Sequence, residues 1–184
     1  MAVYTFTLIV EGPDLQSEVN TAALFDAGCD DALVGRVGTL QYIDFDREAR
    51  SLSEAVFSAT EAVERAVPGA AVVHLEPDDL VSMTEIAERT ERTRESVRLL
   101  ISGARGPGGF PPAATHFKTR NRMWEWHAVA LWFAISLGEE RFTTNAVDSN
   151  FVAAFNAGLR LRRAKQGLTD DDRDRIERLA SKSA

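Results

Sequence analysis

Arg94, Glu95, Ser96 and Arg98 fall within one short stretch of the sequence, and Arg105, Lys118, Arg120 and Arg122 follow it. Guanidinium and ammonium groups neutralise phosphates, while arginine, glutamate and serine side chains also match the donor and acceptor edges of bases. The competing reading is a solvated surface, with Arg89 and Arg92 pairing along helices with Glu85, Glu88 or Glu95. Elsewhere the chemistry-bearing residues do not assemble. Asp44, Asp46, Arg47 and Glu48 read as a solvated turn with local ion pairs. Asp30 and Asp31 beside Cys29 read as a loop, and a lone cysteine makes neither an internal disulfide nor a thiolate metal cluster. His74 lies in a strand pattern with no second ligand at metal spacing. His116 falls on an expected wing strand, where it reads equally as a phosphate contact or an exposed bystander, and His127, near a helix start, reads as a capping or surface residue. No nucleophile–base pair or metal set emerges, so the expectation is a protein that is not an enzyme, with no catalytic or metal residues and no cofactor.

Charge sharpens the first reading. The 184 residues carry a formal charge of −7. Residues 1–81 hold 4 Lys/Arg against 15 Asp/Glu, residues 82–122 hold 8 against 4, and residues 123–184 hold 9 against 9. A basic island therefore sits in an acidic chain, and nucleic-acid binding responds to such local charge. Hydrophobic residues make up 45% of the sequence, enough to bury a core. No apolar run approaches a membrane span. The N-terminus lacks a basic signal-peptide region, and with one cysteine the expected compartment is a reducing cytoplasm.

The first part of the chain supplies a scaffold. Tyr4, Phe6, Leu8 and Val10 alternate with Val3, Thr5, Thr7 and Ile9, the period of a strand with one apolar face. Asp14 is expected to cap a helix with Leu15, Val19, Ala22, Ala23 and Phe25 inward. Ala32 to Val37 and Leu40 to Phe45 read as a hairpin around Gly38-Thr39. Ser51 and Glu54 form a capping box before a helix with stripe Leu52, Ala55, Val56, Ala59, Val63 and Ala66, and Ala71 to Leu75 makes a last strand. The order β-α-β-β-α-β is the ferredoxin-like pattern, which hosts many functions; one sheet face is left for a dimer interface or small ligand.

The centre carries the motif. Pro77 to Val81 reads as a hinge. Ser82 and Glu85 box the start of a helix, Glu91-Arg92-Thr93 turns, and Thr93 caps a second helix with Val97, Leu100 and Ile101 inward. Glu91 stands where such turns commonly have glycine, so the turn is either strained or shaped differently. A Gly/Pro-rich excursion, Gly103 to Pro112, precedes an expected hairpin of Thr115–Lys118 with Arg122–Trp126, and a helix begins near His127.

Met83 to Phe133 resembles the excisionase/AlpA-type branch of the MerR-like winged helix-turn-helix superfamily. The resemblance is carried by Thr84-Glu85-Ile86-Ala87, Gly109-Phe110-Pro111, Trp124-Glu125-Trp126 and Ala130-Leu131-Trp132. It implies binding of double-stranded DNA without catalysis, a recognition helix in the major groove, and tryptophans packing a wing onto the helices. The implied contacts are Arg92, Thr93, Arg94, Glu95, Ser96 and Arg98 at the recognition helix, and Arg105, Lys118, Arg120 and Arg122 from the wing region.

The C-terminal segment reads as helical. Ala146, Phe151, Val152, Phe155 and Leu159 share one face, a basic cluster Arg160, Arg162, Arg163 and Lys165 follows, and Thr169 caps a last helix. The whole is expected to be an α+β protein: a ferredoxin-like dimerisation or sensing domain (1–77), a winged helix-turn-helix domain (78–137) and a helical extension (138–184). The expected function is a sequence-specific DNA-binding regulator, homodimeric, cytoplasmic and nucleoid-associated, with a small-molecule effector on the first domain possible. The alternatives are an architectural DNA-bending protein, or a sensing or protein-interaction module with a vestigial helix-turn-helix.

Overall fold

In the computed structural model, which describes residues 1–181, the alternating N-terminal stretch forms strand β1 (Ala2–Glu11), with Phe6, Leu8 and Val10 buried. The elements that follow are α1 (Glu18–Asp26), β2 (Ala32–Val37), β3 (Leu40–Ala49), α2 (Leu52–Ala66) and β4 (Ala71–Glu76). Then come β5 (Leu80–Ser82), α3 (Met83–Arg89), α4 (Arg94–Ile101), β6 (Met123–Glu125), α5 (Trp126–Ser136), α6 (Phe142–Ala164) and α7 (Asp170–Ala180). This is a mixed α/β chain with a four-stranded antiparallel sheet and, among the described residues, seven α-helices. It divides into two units, Met1–Glu76 with the chain from Phe155 onward, and Pro77–Ala154. The division falls within α6, so the expected 138–184 segment is shared between the units; its last three residues lie outside the described ones. No described helix is long and apolar enough to cross a membrane.

In the first unit the sheet order is β2-β3-β1-β4, every neighbouring pair antiparallel. Phe6 faces Phe45 across the β1–β3 register, and their rings stack 5.3 Å apart under the buried Ala55, Val56, Ala59 and Val63 of α2. Such a cross-strand aromatic pair is worth about 0.5–1.5 kcal/mol beyond its burial. Three local expectations need correction. Ser17, not Asp14, caps α1, and its Oγ accepts from the Asn20 amide at 3.3 Å. Moving the start shifts the inward stripe, so Leu24 is buried while Val19 and Phe25 stand 78% and 65% exposed. At α2 only half the box forms: Ser51 Oγ accepts from Glu54 N, but the Glu54 carboxylate accepts from Arg50 N.

The group Asp44, Asp46, Arg47 and Glu48 lies on β3 and not in a turn after it. Asp44 and Asp46 accept from the Thr7 and Thr5 hydroxyls across the register at 2.6 and 2.7 Å. Arg47 points inward. It grips Asp31 bidentately at 2.8 Å, donates to the Gly28 carbonyl and lies 4.8 Å over the Phe45 ring. Hydrogen bonding to Asp31 raises its pKa further, and burial raises that of the neighbouring Cys29 thiol, which is therefore uncharged and unreactive at neutral pH.

The β4 edge of the sheet is closed by a side chain. Asn156 of α6 is fully buried; its Oδ1 accepts from Leu75 N at 2.8 Å and its Nδ2 donates to Leu75 O at 2.9 Å. The amide thus replaces a missing strand, which is one way an edge is kept from pairing with another chain. Three of the four residues of the basic cluster pair with acids of the same unit, Arg162 with Glu64, Arg163 with Glu11 and Lys165 with Glu177. Asn156→Ala strands a buried amide and carbonyl and is expected to lower stability by about 2–4 kcal/mol in urea denaturation, with a loss below 1 showing that water substitutes.

Candidate nucleic-acid interface

The second unit is built on two capped helices. Ser82 Oγ accepts from Glu85 N while Glu85 Oε2 accepts from Ser82 N at 2.7 Å, so the capping box starting α3 is complete. Thr93 Oγ1 accepts from Ser96 N at 3.1 Å and starts α4. Ile86, Ala87, Val97 and Leu100 are buried between the helices. The turn is tight because Arg92 N reaches back to Ala87 O at 2.8 Å, and the chain reverses at Glu91 with φ 55°. Glu91 itself occupies the left-handed conformation that glycine would take without strain.

The expected hairpin is mostly absent. Thr115 makes one bridge to Met123, and His116, at φ 53°, turns the chain away so that Thr119 N bonds back to His116 O. β6 pairs instead with Leu80–Ser82, of which Leu80 and Val81 were expected to be hinge, placing Val81 opposite Trp124 with both buried. The three tryptophans are core residues: Trp124, Trp126 and Trp132 are 2%, 4% and 7% exposed. Trp132 also holds the Gly/Pro-rich loop, donating from Nε1 to Gly108 O at 3.0 Å while Phe110 packs 5.0 Å from its ring. Gly106 takes φ 81°, a left-handed backbone that favours glycine, and a Cβ there would press on the Leu100 side chain at 2.9 Å.

Asp79, 3% exposed, organises the junction. Its carbonyl accepts from Trp126 N at 2.7 Å and its carboxylate accepts from His127 N at 3.1 Å, which caps α5 from the bend before β5. The same carboxylate contacts His127 Nδ1 at 3.2 Å and accepts from Ser149 Oγ of α6. Glu125, the residue at the cap position, makes no such bond.

The ten recognition-helix and wing-region residues named from the sequence separate by what they touch. Arg92 turns inward: Nη2 donates to Glu139 Oε1 at 2.5 Å and the guanidinium lies 5.4 Å from the Phe133 ring centre. It is a packing residue, and the Thr93 hydroxyl is taken up as a cap. Ser96 is half-buried, and Arg105 is exposed on the Gly/Pro-rich loop. Lys118 is exposed beside the Phe117 ring. Arg98 is exposed and bound bidentately by Glu95 at 2.7 and 2.8 Å; that bond lowers the Glu95 pKa and raises that of Arg98. Arg94, Arg120 and Arg122 come together, lining an open cleft of about 410 Å³ with Ser82, Thr84, Thr119 and Asn121. None of the three arginines makes an ion pair among the described residues. Asn121, Thr119, Thr84 and Ser82 were not singled out as contacts from the sequence, where they read only as turn and cap residues.

The first unit has a cleft of its own, about 350 Å³, between α1 and β2, lined by Leu24, Phe25, Cys29, Asp30 and Leu33 among others. The described residues contain no group of three or more His, Cys, Asp or Glu able to hold a metal ion. No protein-family model, curated protein or solved structure matches the chain.

Two variants test this construction. Asp79→Ala leaves His127 N and Ser149 Oγ without their acceptor, and is expected to cost about 2–4 kcal/mol in chemical denaturation. Glu91→Gly relieves the left-handed backbone and gives up only an exposed pair with Arg141, so the thermal midpoint is expected to rise, by the equivalent of about 1 kcal/mol. A fall in midpoint would mean that the turn is not strained.

Proposed function

We propose that the chain is a sequence-specific double-stranded DNA-binding protein, with Pro77–Ala154 read as a winged helix-turn-helix unit and the first unit as a ferredoxin-like domain. The observation that carries this reading is the cleft shared by Arg94, Arg120 and Arg122 beside the solvent face of α4. Three guanidinium groups without carboxylate partners, facing water in one concavity, form a local cationic field although the chain as a whole is acidic. Two phosphates of one strand are the ligands such a fork of donors fits, and the α4 face beside it carries the side chains that reach base edges. Because a helix of eight residues reads few base pairs, two copies bound to two half-sites complete the proposal. The first unit, with Arg36, Arg47, Arg162 and Arg163 held in ion pairs, contributes dimerisation, and its cleft is the place for an effector.

Fluorescence anisotropy of a random duplex, titrated with salt, checks the reading. The parent is expected to lose affinity steeply with salt, and Arg94→Ala, Arg120→Ala and Arg122→Ala each to reduce the log–log slope by about 1. Lys118→Ala is expected to weaken binding evenly across sequences. A parent with no salt-dependent duplex affinity removes the proposal.

A further inference from the structure

We infer that Glu95 is a positioning residue that braces Arg98 for reading a guanine, which makes a G·C pair at one position the base pair that α4 demands. The inference rests on the DNA-binding reading above.

The argument is geometric. Arg98 gives Nε to Glu95 Oε2 at 2.8 Å and Nη2 to Glu95 Oε1 at 2.7 Å, so the carboxylate occupies the side edge of the guanidinium. A guanidinium has five N–H donors in a rigid planar fork, and the side-on pair leaves its Nη1–Nη2 end edge available. That end edge is the one that donates to two acceptors in a plane, and guanine offers N7 and O6 in the major groove in that arrangement. Both side chains stand on the solvent side of α4, at 54% and 64% exposure, while Val97 and Leu100 fill the opposite side.

The cations of this unit thereby divide in role. Arg94, Arg120 and Arg122 carry uncompensated charge, as phosphate anchors require. Arg98 has its charge offset by Glu95, which makes it a poor phosphate anchor but keeps its hydrogen-bond direction. A long flexible arginine otherwise loses its side-chain freedom on meeting a base, and the brace removes part of that loss beforehand. Glu95 on a helix face that meets phosphates would be repelled if it stood alone; with both oxygens on Arg98 it is tolerated. The bond to Arg98 holds the Glu95 carboxyl below its usual range, so the brace is intact at neutral pH and is lost only as pH falls through that lowered value.

The test is selection of bound duplexes from a random library by the full chain, for the parent and for Glu95→Ala, Glu95→Gln, Arg98→Ala and Arg98→Lys, with melting midpoints measured alongside. An exposed pair leaves the midpoints nearly unchanged, so folding does not confound the comparison. The parent is expected to enrich guanine at one position of each half-site. Glu95→Ala should bind bulk duplex at least as well as the parent while its guanine preference falls about tenfold, with Glu95→Gln between the two. Arg98→Ala and Arg98→Lys should lose the preference, because an ammonium has no planar fork. If Arg98→Ala abolishes the guanine preference but Glu95→Ala keeps it, the pair is an ordinary surface ion pair and the brace is refuted while DNA binding stands. Enriched sites with no guanine that depends on Arg98 refute the readout in the same way. A parent that binds no duplex at any salt fails the reading on which the inference rests.

Discussion

A buried carboxylate holds the second unit together. Asp79 sits in the bend just before β5, yet it caps α5, and through Ser149 it engages α6. Burying a carboxylate is costly unless its oxygens are satisfied, and here amide, imidazole and hydroxyl groups converge on it. The start of α5 adds the favourable end of a helix dipole. Because β6 leads directly into α5, fixing that start also fixes β6 against β5, and β5 ends at the residue that caps α3. Misplacing Asp79 would therefore move the helix pair and the Thr119–Arg122 turn together, and with them the walls of the arginine cleft.

Arginine is used in opposite ways in the two units. In the first, Arg36, Arg47, Arg162 and Arg163 each meet a carboxylate, and Arg47 does so nearly buried. Those contacts tie strands and helices together and absorb part of the acidic excess. In the second, Arg92 is turned inward onto Glu139 and the Phe133 ring, and Arg98 onto Glu95, while Arg94, Arg120 and Arg122 stay open. What distinguishes a candidate contact from a structural arginine is thus the carboxylate within reach, which depends on residues far along the chain: Glu139 lies 47 positions from Arg92.

Elements governed by near neighbours were legible. The alternation in β1, the stripe of α2, the box at Ser82 and the caps at Thr93 and Thr169 all depend on residues a few positions apart, and they appear where the spacing places them. Failures cluster where a distant partner decides. Thr115–Lys118 has strand-like composition but meets β6 at one bridge, because Leu80–Ser82 offers β6 a better-packed edge with Val81 against Trp124. The α1 stripe slipped because Ser17 outcompeted Asp14 as cap while Asp14 was held by Arg36.

Periodicity and capping chemistry, being local, determined the order of strands and helices in the first unit, the aromatic core of the centre and the segment where cationic side chains gather. Long-range contact decided the rest: that Glu91 takes a left-handed backbone, that Asp79 caps a helix 47 positions later, that Asn156 closes a sheet edge, and which arginines remain open. A side chain's residue type sets what it can bond to, but its partner is set by whichever groups the packed core brings within about 3 Å, and that distance is a property of the folded chain.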